Sequence, residues 1–203
     1  MTEERISIRS RGCELEGLLA EMPGAKGVVV THPHPLYGGD MNNNVVDVIA
    51  GAYREKGYTT LRFNFRGVGR SGGTYGEGLG EQDDVAAVIS FMGSIGITEL
   101  DLAGYSFGVW INSMGIDRFS AARRLVMVSP PVNFMDFSSL RYNQRIEMIV
   151  SGQDDEIAPP HMIKELIPVW NPCARFDVIQ GADHFFLGKT DQLERSIIDF
   201  LDQ

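Results

Sequence analysis

A nine-residue stretch from Leu100 to Gly108, LDLAGYSFG, constrains the fold of this 203-residue chain more than any other feature. Its first half has the apolar character of a short buried strand, and a helix-like run follows from Val109 to Met114. The second half fits the pattern G-x-S-x-G, in which a serine at a tight strand-to-helix turn projects its hydroxyl away from the sheet. The two glycines remove side chains where strand and helix crowd each other. The stretch therefore predicts a nucleophilic serine, Ser106.

The length and charge of the chain limit the classes of protein to which it can belong. A chain of 203 residues suits one domain, 1–203, with an ordinary 43% hydrophobic and 22% charged residues. The formal charge of −9 disfavours binding to nucleic acid or to an anionic membrane. No apolar run is long enough to span a bilayer, and the first residues lack the pattern of a signal peptide. Cys13 and Cys173 are isolated, which predicts reduced thiols and a cytoplasmic protein.

Strand-like and helix-like segments alternate along most of the chain, which predicts a mostly parallel sheet covered on both faces. The run VVVT before residue 32 is typical of a strand buried on both sides. Asp83 and Asp84 lie near the start of a predicted helix, where they would complement the helix dipole. The predicted strands cover residues 4–10, 13–22, 27–31, 58–65, 100–103, 124–129, 146–151 and 174–179, and the predicted helices cover residues 45–56, 82–92, 109–114, 160–170 and 191–201.

A nucleophilic serine needs a base, and the base needs an acid that fixes its tautomer. The motif predicts the chain order serine, acid, histidine. Only His161 and His184 follow Ser106, and His184 lies in a loop directly after the last predicted strand. The acid should follow the strand at 146–151, where Asp154, Asp155 and Glu156 are the candidates. The residue pattern favours His184 but does not choose between the adjacent aspartates.

A tetrahedral intermediate also needs two backbone N–H donors for its oxyanion. One is expected at Phe107, directly after the nucleophile. The other is expected in the loop HPHPLYGG at 32–39, where the prolines have no N–H and His34, Leu36 and Tyr37 remain. His32 and His34 lack a nearby carboxylate or thiolate pair, so no metal site is predicted and the histidines are interpreted as rigidifying the loop.

A glycine-rich loop, RGVGRSGG at 66–73, superficially suggests a phosphate-binding cradle. It lacks the Gly-Lys-Ser/Thr ending of such a loop, and its glycines do not lead directly into a helix. We therefore predict no phosphate or dinucleotide site there.

Four ordered motifs together resemble the α/β-hydrolases over essentially the whole chain. The resemblance is narrower with a group of small bacterial members, related to dienelactone hydrolases, whose substrates are mostly unassigned. True dienelactone hydrolases use a cysteine nucleophile, whereas this chain has Ser106. The motifs are HPHPLYGG at 32–39 with the asparagines at 42–43, RFNFRGVGRS at 62–71, GYSFG at 104–108 and GADHFF at 181–186.

The resemblance implies which residues form the site. The acid of such proteins is the fourth residue of a Gly-x-x-Asp-x-x-x-Pro loop, which points to Asp155. The second oxyanion donor is the residue two after the first loop histidine, which points to the N–H of His34. The segment at 131–145 is too short for the helical cap of larger relatives, so an open, uncapped site is expected. Residues that could line it are Leu36, Tyr37, Phe107, Phe134, Phe137 and Phe186.

These observations predict a serine hydrolase of carboxylic esters or thioesters that needs no cofactor. Ser106, Asp155 and His184 would form the catalytic triad. The alternatives are a peptidase or amidase, which shares the triad, and a binding or regulatory protein that retains the fold without catalysis. The expected partner is a small ester or acyl substrate; a homodimer is compatible with the sequence, which does not determine the oligomeric state.

Overall fold

A computed structural model describes residues 2–203 and contains one eight-stranded, mostly parallel sheet in the order β1-β2-β4-β3-β5-β6-β7-β8. The pairs β1–β2 and β2–β4 are antiparallel, and every other neighbouring pair is parallel. The parallel sheet predicted from the alternation of elements is therefore confirmed. The strands are β1 (Glu4–Ser10), β2 (Cys13–Ala20), β3 (Lys26–Thr31), β4 (Thr59–Phe63), β5 (Glu99–Tyr105), β6 (Ala122–Val128), β7 (Ile146–Gly152) and β8 (Arg175–Ile179).

Helices cover both faces of the sheet and enclose a separate hydrophobic core on each side. Helices α1 and α5 pack on one face, and α2, α3 and α4 pack on the other. Strand β3 shows why both faces are apolar: Val28 and Val30 belong to one core, whereas Val29 belongs to the other. The helices are α1 (Asn44–Glu55), α2 (Leu79–Ser94), α3 (Phe107–Met114), α4 (Pro160–Trp170) and α5 (Thr190–Leu201).

Helix α2 begins three residues before the predicted start at Gln82. The buried carboxylate of Glu81 accepts hydrogen bonds at 2.8 Å from the N–H groups of Gly76 and Gly78, which caps the helix early. Asp83 and Asp84 therefore lie further from the start of the helix than predicted. The buried carboxylate of Asp84 has a structural role, because it binds the guanidinium of Arg66 with 2.7 Å between Oδ1 and Nη2.

The carboxyl ends of the parallel strands form an edge that no helical cap covers. Residues 129–145, between β6 and β7, form turns and extended chain without a helix. The uncapped fold expected from the short segment is therefore confirmed. Within residues 2–203, no helix combines the length and the hydropathy needed to cross a membrane.

Candidate active site

Ser106 lies at the sharp turn between β5 and α3. Its backbone has φ of +53° and ψ of −118°, a strained conformation for a residue with a side chain. The turn packs against Thr31 at the end of β3. A Cβ on Gly104 would lie 2.7 Å from the hydroxyl of Thr31, and one on Gly108 would lie 2.6 Å from its carbonyl oxygen. The prediction that two glycines relieve crowding at this turn is confirmed.

His184 faces the Ser106 hydroxyl from the loop that follows β8. The distance between His184 Nε2 and Ser106 Oγ is 3.0 Å, and both residues are buried. Tyr105 holds the loop in place because its hydroxyl donates a 2.9 Å hydrogen bond to the carbonyl oxygen of His184. The imidazole is therefore in position to accept the serine proton.

Asp155 completes a line of three side chains. Its Oδ1 and Oδ2 lie 3.0 and 2.9 Å from Nδ1 of His184. Oδ1 also accepts hydrogen bonds of 2.9 Å from the N–H of Ile157 and 2.7 Å from the N–H of Ala158. Burial alone would raise the pKa of Asp155, but its hydrogen bonds with His184 and the charge interaction between them hold the pKa below its ordinary value. Adjacent Asp154 is exposed, so the structure places Asp155 beside the histidine.

The loops that carry Asp155 and His184 bind each other directly. The N–H of Asp154 donates a 2.9 Å hydrogen bond to the carbonyl oxygen of Ala182. The loops approach so closely that a Cβ on Gly152 would lie 2.3 Å from that same oxygen. The distance between acid and histidine is therefore set by packing between backbones and not by the two side chains alone.

The N–H groups of Phe107 and His34 have no hydrogen-bond partner in the part of the chain that the structure describes. Two other candidates in the 32–39 loop are used internally. The N–H of Leu36 donates to Nδ1 of His34 at 3.2 Å, and the N–H of Tyr37 donates to the carbonyl oxygen of His34 at 3.1 Å. His34 also packs on Phe107, with 4.5 Å between ring centroids. His34, Phe107 and Ser106 all line one cavity.

His32 joins the 32–39 loop to the segment that follows β4. Its Nε2 accepts a 3.0 Å hydrogen bond from the N–H of Phe65, and its Nδ1 lies 2.6 Å from the carbonyl oxygen of Pro33. Complete burial lowers the pKa of His32 to about 4, so the ring is neutral at pH 7. Both ring nitrogens are engaged, which agrees with a structural role. Among residues 2–203, no group of three or more His, Cys, Asp or Glu residues is arranged to hold a metal ion.

A cavity of about 540 Å³ opens above Ser106. Two of the predicted lining residues, Tyr37 and Phe134, stand at its mouth with 88% and 72% of their surfaces exposed. Phe107 lies at its base. The complete lining comprises Pro33, His34, Tyr37, Gly38, Gly39, Asn43, Tyr105, Ser106, Phe107, Pro131, Phe134, Met135, Ile157, His184 and Phe185.

Three predicted lining residues lie elsewhere. Phe186 is completely buried in the core beneath α1 and α5, because the turn of its loop directs Phe185 towards the cavity and Phe186 into the protein. Phe137 belongs to the opposite core, where it packs on Trp170. Leu36 lines a neighbouring cleft on the other side of the 32–39 loop. The predictions for Leu36, Phe137 and Phe186 were therefore wrong.

Sequence reasoning missed Ser129, which follows β6. Its side chain is fully buried, its φ is +48°, and its Oγ has no hydrogen-bond partner within the described residues. The hydroxyl nevertheless faces the carboxylate of Asp155 closely enough to help lower the pKa of that group. The one available signal was its position at the carboxyl end of a parallel strand.

Comparisons with known proteins place the chain in a family. No family model matches the sequence. An uncharacterised protein of Rickettsia prowazekii (strain Madrid E) is 36% identical over 192 residues, which cover 90% of this chain and 81% of that protein. The solved structure of an α/β serine hydrolase homologue from Coxiella burnetii is 36% identical, covers 99% of this chain and 98% of its own, and superposes with a TM-score of 0.92.

A further solved structure shares the uncapped architecture. It is a serine hydrolase from Xanthomonas campestris described as being without a lid. It is 28% identical, covers 97% of this chain and 92% of its own, and has a TM-score of 0.88. The 36% identity to the Coxiella burnetii structure across almost the full length of both chains, together with the same fold, means that this chain belongs to the α/β-hydrolase superfamily.

Proposed function

We propose that the protein is a serine hydrolase of carboxylic esters or thioesters, with Ser106, His184 and Asp155 as its catalytic triad. The observation that carries the proposal is the continuous hydrogen-bonded line from Ser106 Oγ through His184 to Asp155, with distances of 3.0 and 2.9 Å. A serine is a weak nucleophile unless a neighbouring base accepts its proton and a third group orients that base. Both groups are present beside Ser106, and Ser106 and His184 line one cavity.

Acylation begins when Ser106 Oγ attacks the substrate carbonyl carbon and its proton passes to Nε2 of His184. The negative charge moves to the carbonyl oxygen, where the N–H groups of Phe107 and His34 stabilise it. Ionised Asp155 accepts a hydrogen bond from the Nδ1–H of His184 and stabilises the imidazolium, and the proton stays on Nδ1. Collapse of the intermediate breaks the bond to the alcohol or thiol, which leaves with the proton from Nε2, and the acyl group remains on Ser106.

Deacylation repeats the same steps with water as the nucleophile. His184 removes a proton from water, the hydroxide adds to the acyl carbon, and the oxyanion returns to the same two N–H groups. Ser106 then leaves with the proton held by His184, and a carboxylic acid is released. Every proton is carried by groups of this chain or by water, so the sequence of steps needs no cofactor.

Labelling by a fluorophosphonate probe, followed by intact-mass measurement, tests this proposal directly. We expect one adduct on the wild-type protein and none on Ser106→Ala. Labelling of His184→Ala should be slower by orders of magnitude, because the serine then lacks its base. A folded wild-type protein without an adduct would favour a non-catalytic binding protein.

The nature of the cleaved bond is tested with an ester, a thioester and an amide of the same acyl group. We expect turnover of the ester and the thioester to exceed that of the amide, because an amine is a poorer leaving group. A higher kcat/KM for the amide would indicate a peptidase or amidase that uses the same triad.

A further inference from the structure

The cavity above Ser106 presents apolar and neutral polar groups to a ligand. Pro131, Met135 and Ile157 contribute apolar surface. Within the described part of the chain, none of the lining residues is an aspartate, a glutamate, a lysine or an arginine. Burial lowers the pKa of His34, which disfavours a positive charge on this lining imidazole. A charged group of a ligand would therefore find no opposite charge in this cavity.

The neighbouring cleft supplies no available cation either. It has a volume of about 430 Å³ and shares Gly38 and Gly39 with the Ser106 cavity. Arg66 is the cationic residue of its lining. The Arg66 guanidinium is held by the fully buried carboxylate of Asp84, at 2.7 Å from Nη2 and 3.1 Å from Nε. A ligand that extended across the loop would meet a cation that is already neutralised.

Three aromatic side chains from separate loops surround the mouth of the cavity. Tyr37, Phe134 and Phe185 have exposed fractions of 88%, 72% and 54%. Exposed apolar side chains that cluster around a concave site mark a place where a ligand is covered. The aromatic rim therefore favours an apolar or aromatic substituent next to the reacting carbonyl.

We infer that the substrate is an uncharged ester or thioester whose apolar acyl group lies in the cavity between the aromatic side chains of its rim. This inference rests on the proposed serine hydrolysis and adds the charge and polarity of its substrate. Transfer of a carboxylate or phosphate into this cavity is unfavourable because no lysine or arginine of the lining compensates for its lost hydration. The net charge of −9 adds long-range repulsion of anions. Carboxylate-bearing lactones and acyl-coenzyme A are therefore expected to be poor substrates.

Two nitrophenyl esters of equal chain length test the inference. We expect kcat/KM for p-nitrophenyl hexanoate to exceed that for mono-p-nitrophenyl adipate by about 100-fold. Methyl p-nitrophenyl adipate, which masks the carboxylate as an ester, should recover most of the difference. The ratio should persist at high salt, where long-range repulsion is screened. Equal rates for hexanoate and adipate would overturn the inference.

A pair of thioesters tests whether the acyl group or the carrier determines the rate of hydrolysis. S-hexanoyl-N-acetylcysteamine is neutral, whereas hexanoyl-coenzyme A carries the same acyl group on a phosphorylated carrier. We expect kcat/KM for the neutral thioester to exceed that for the coenzyme A thioester. An equal or higher kcat/KM for the coenzyme A thioester would contradict the inference and indicate a phosphate-binding surface outside the cavity.

Variants of the aromatic rim test whether the absence of a cationic side chain from the cavity causes the preference for uncharged substrates. Phe134→Lys places an ammonium at the mouth, and we expect it to raise kcat/KM for the adipate ester about tenfold. Phe134→Met is the matched neutral control. Tyr142→Lys is a second control, because Tyr142 is exposed and lies outside the cavity lining. An equal gain with Tyr142→Lys, or no gain with Phe134→Lys, would show that the cavity does not discriminate by charge.

Fluorophosphonate labelling distinguishes failure of this inference from failure of the proposed function. A wild-type protein that is labelled on Ser106 and prefers the adipate ester would overturn the substrate inference alone. A wild-type protein that is neither labelled nor active on any of these esters would overturn the proposed function and this inference with it.

Discussion

Replacement of Asp155 by asparagine tests the proposed triad most sharply, because the structure determines how the new amide must lie. The N–H groups of Ile157 and Ala158 both donate to Oδ1, at 2.9 and 2.7 Å. The oxygen of an asparagine must take that place, since its NH₂ group cannot accept them. The NH₂ group then occupies the position of Oδ2 and faces Nδ1 of His184 across 2.9 Å.

The amide oxygen lies 3.0 Å from Nδ1, but an Nδ1–H would clash with the hydrogens of the nearer NH₂ group. The amide therefore donates to Nδ1, and the imidazole proton moves to Nε2. Ser106 then faces a donor instead of a base, so its hydroxyl cannot lose its proton to His184. Loss of the correct tautomer in a serine triad lowers kcat by about 10,000-fold. We expect a decrease of that order for Asp155→Asn, measured on p-nitrophenyl hexanoate, with slower fluorophosphonate labelling.

Two further variants separate chemistry from stability. Asp155→Ala should also lose activity, but it leaves the N–H groups of Ile157 and Ala158 without their acceptor and should lower the free energy of unfolding by about 2 kcal/mol or more. Asp155→Asn keeps that acceptor, so its free energy of unfolding in urea should be closer to that of the wild type. Asp154→Asn is the matched control, because Asp154 is exposed. An Asp155→Asn protein with kcat within tenfold of wild type, or an equal loss in Asp154→Asn, would refute the assignment.

Three further changes test the loops around the site. The pKa of His32 is about 4 in the folded protein and 6.5 in the unfolded chain. The neutral histidine therefore contributes fully to stability above pH 6.5, and this contribution is lost as the pH falls towards 4. In urea unfolding, we expect the free energy of unfolding to fall by about 2–3 kcal/mol between pH 7 and pH 4.5, and this fall should be absent from His32→Gln. A Cβ on Gly39 would lie 2.1 Å from the carbonyl oxygen of Pro33, so Gly39→Ala should displace the loop and lower kcat about 100-fold. Gly93→Ala, where the Cβ meets no atom within 4 Å, should retain wild-type kcat. Removal of the Ser129 hydroxyl beside Asp155 should lower kcat by up to about tenfold without a change in KM. The decrease in kcat should be the same in Ser129→Gly and Ser129→Ala, although glycine tolerates the φ of +48° better than alanine does. A wild-type kcat in either variant would exclude a role for the hydroxyl.

The sheet and the positions of the serine and histidine were predictable because they depend on local patterns. Strand β3 has a run of β-branched residues, and the turn at Ser106 has a glycine on each side. The loop histidine follows the last strand, and carboxyl ends of parallel strands meet at one edge of a sheet. These features are local in sequence, so they can be recognised from a single amino-acid sequence.

The choice of acid was not accessible to the same reasoning, since Asp154 and Asp155 have the same chemistry and adjacent positions. The structure distinguishes them through long-range contacts. The N–H of Asp154 binds the carbonyl oxygen of Ala182, and the turn that follows directs the next side chain inwards. Only the approach of two loops separated by almost thirty residues decides which carboxylate meets the histidine. The resemblance supplied the choice that residue chemistry left open.

The cavity lining was harder to predict for a related reason. Phe185 and Phe186 are identical side chains at successive positions, yet one faces the cavity and the other is buried in the core. Phe186 has a φ of +54°, and Ser106 and Ser129 also have positive values. Three of the four residues other than glycine with positive φ in the described chain therefore lie in loops at the site edge of the sheet.

Such backbone strain persists only where the surroundings hold it. Sequence rules assign positive φ to glycine and asparagine, so they overlook serine and phenylalanine in these conformations. At Ser106 the strain is held by the close packing of Gly104 and Gly108 on Thr31, which leaves no room for the turn to relax. The motif is recognised by its two glycines, but the residue with the strained backbone is the serine between them. A chain optimised for stability alone would place glycine at 106 as well, and the side chain retained there is the one that the proposed chemistry requires.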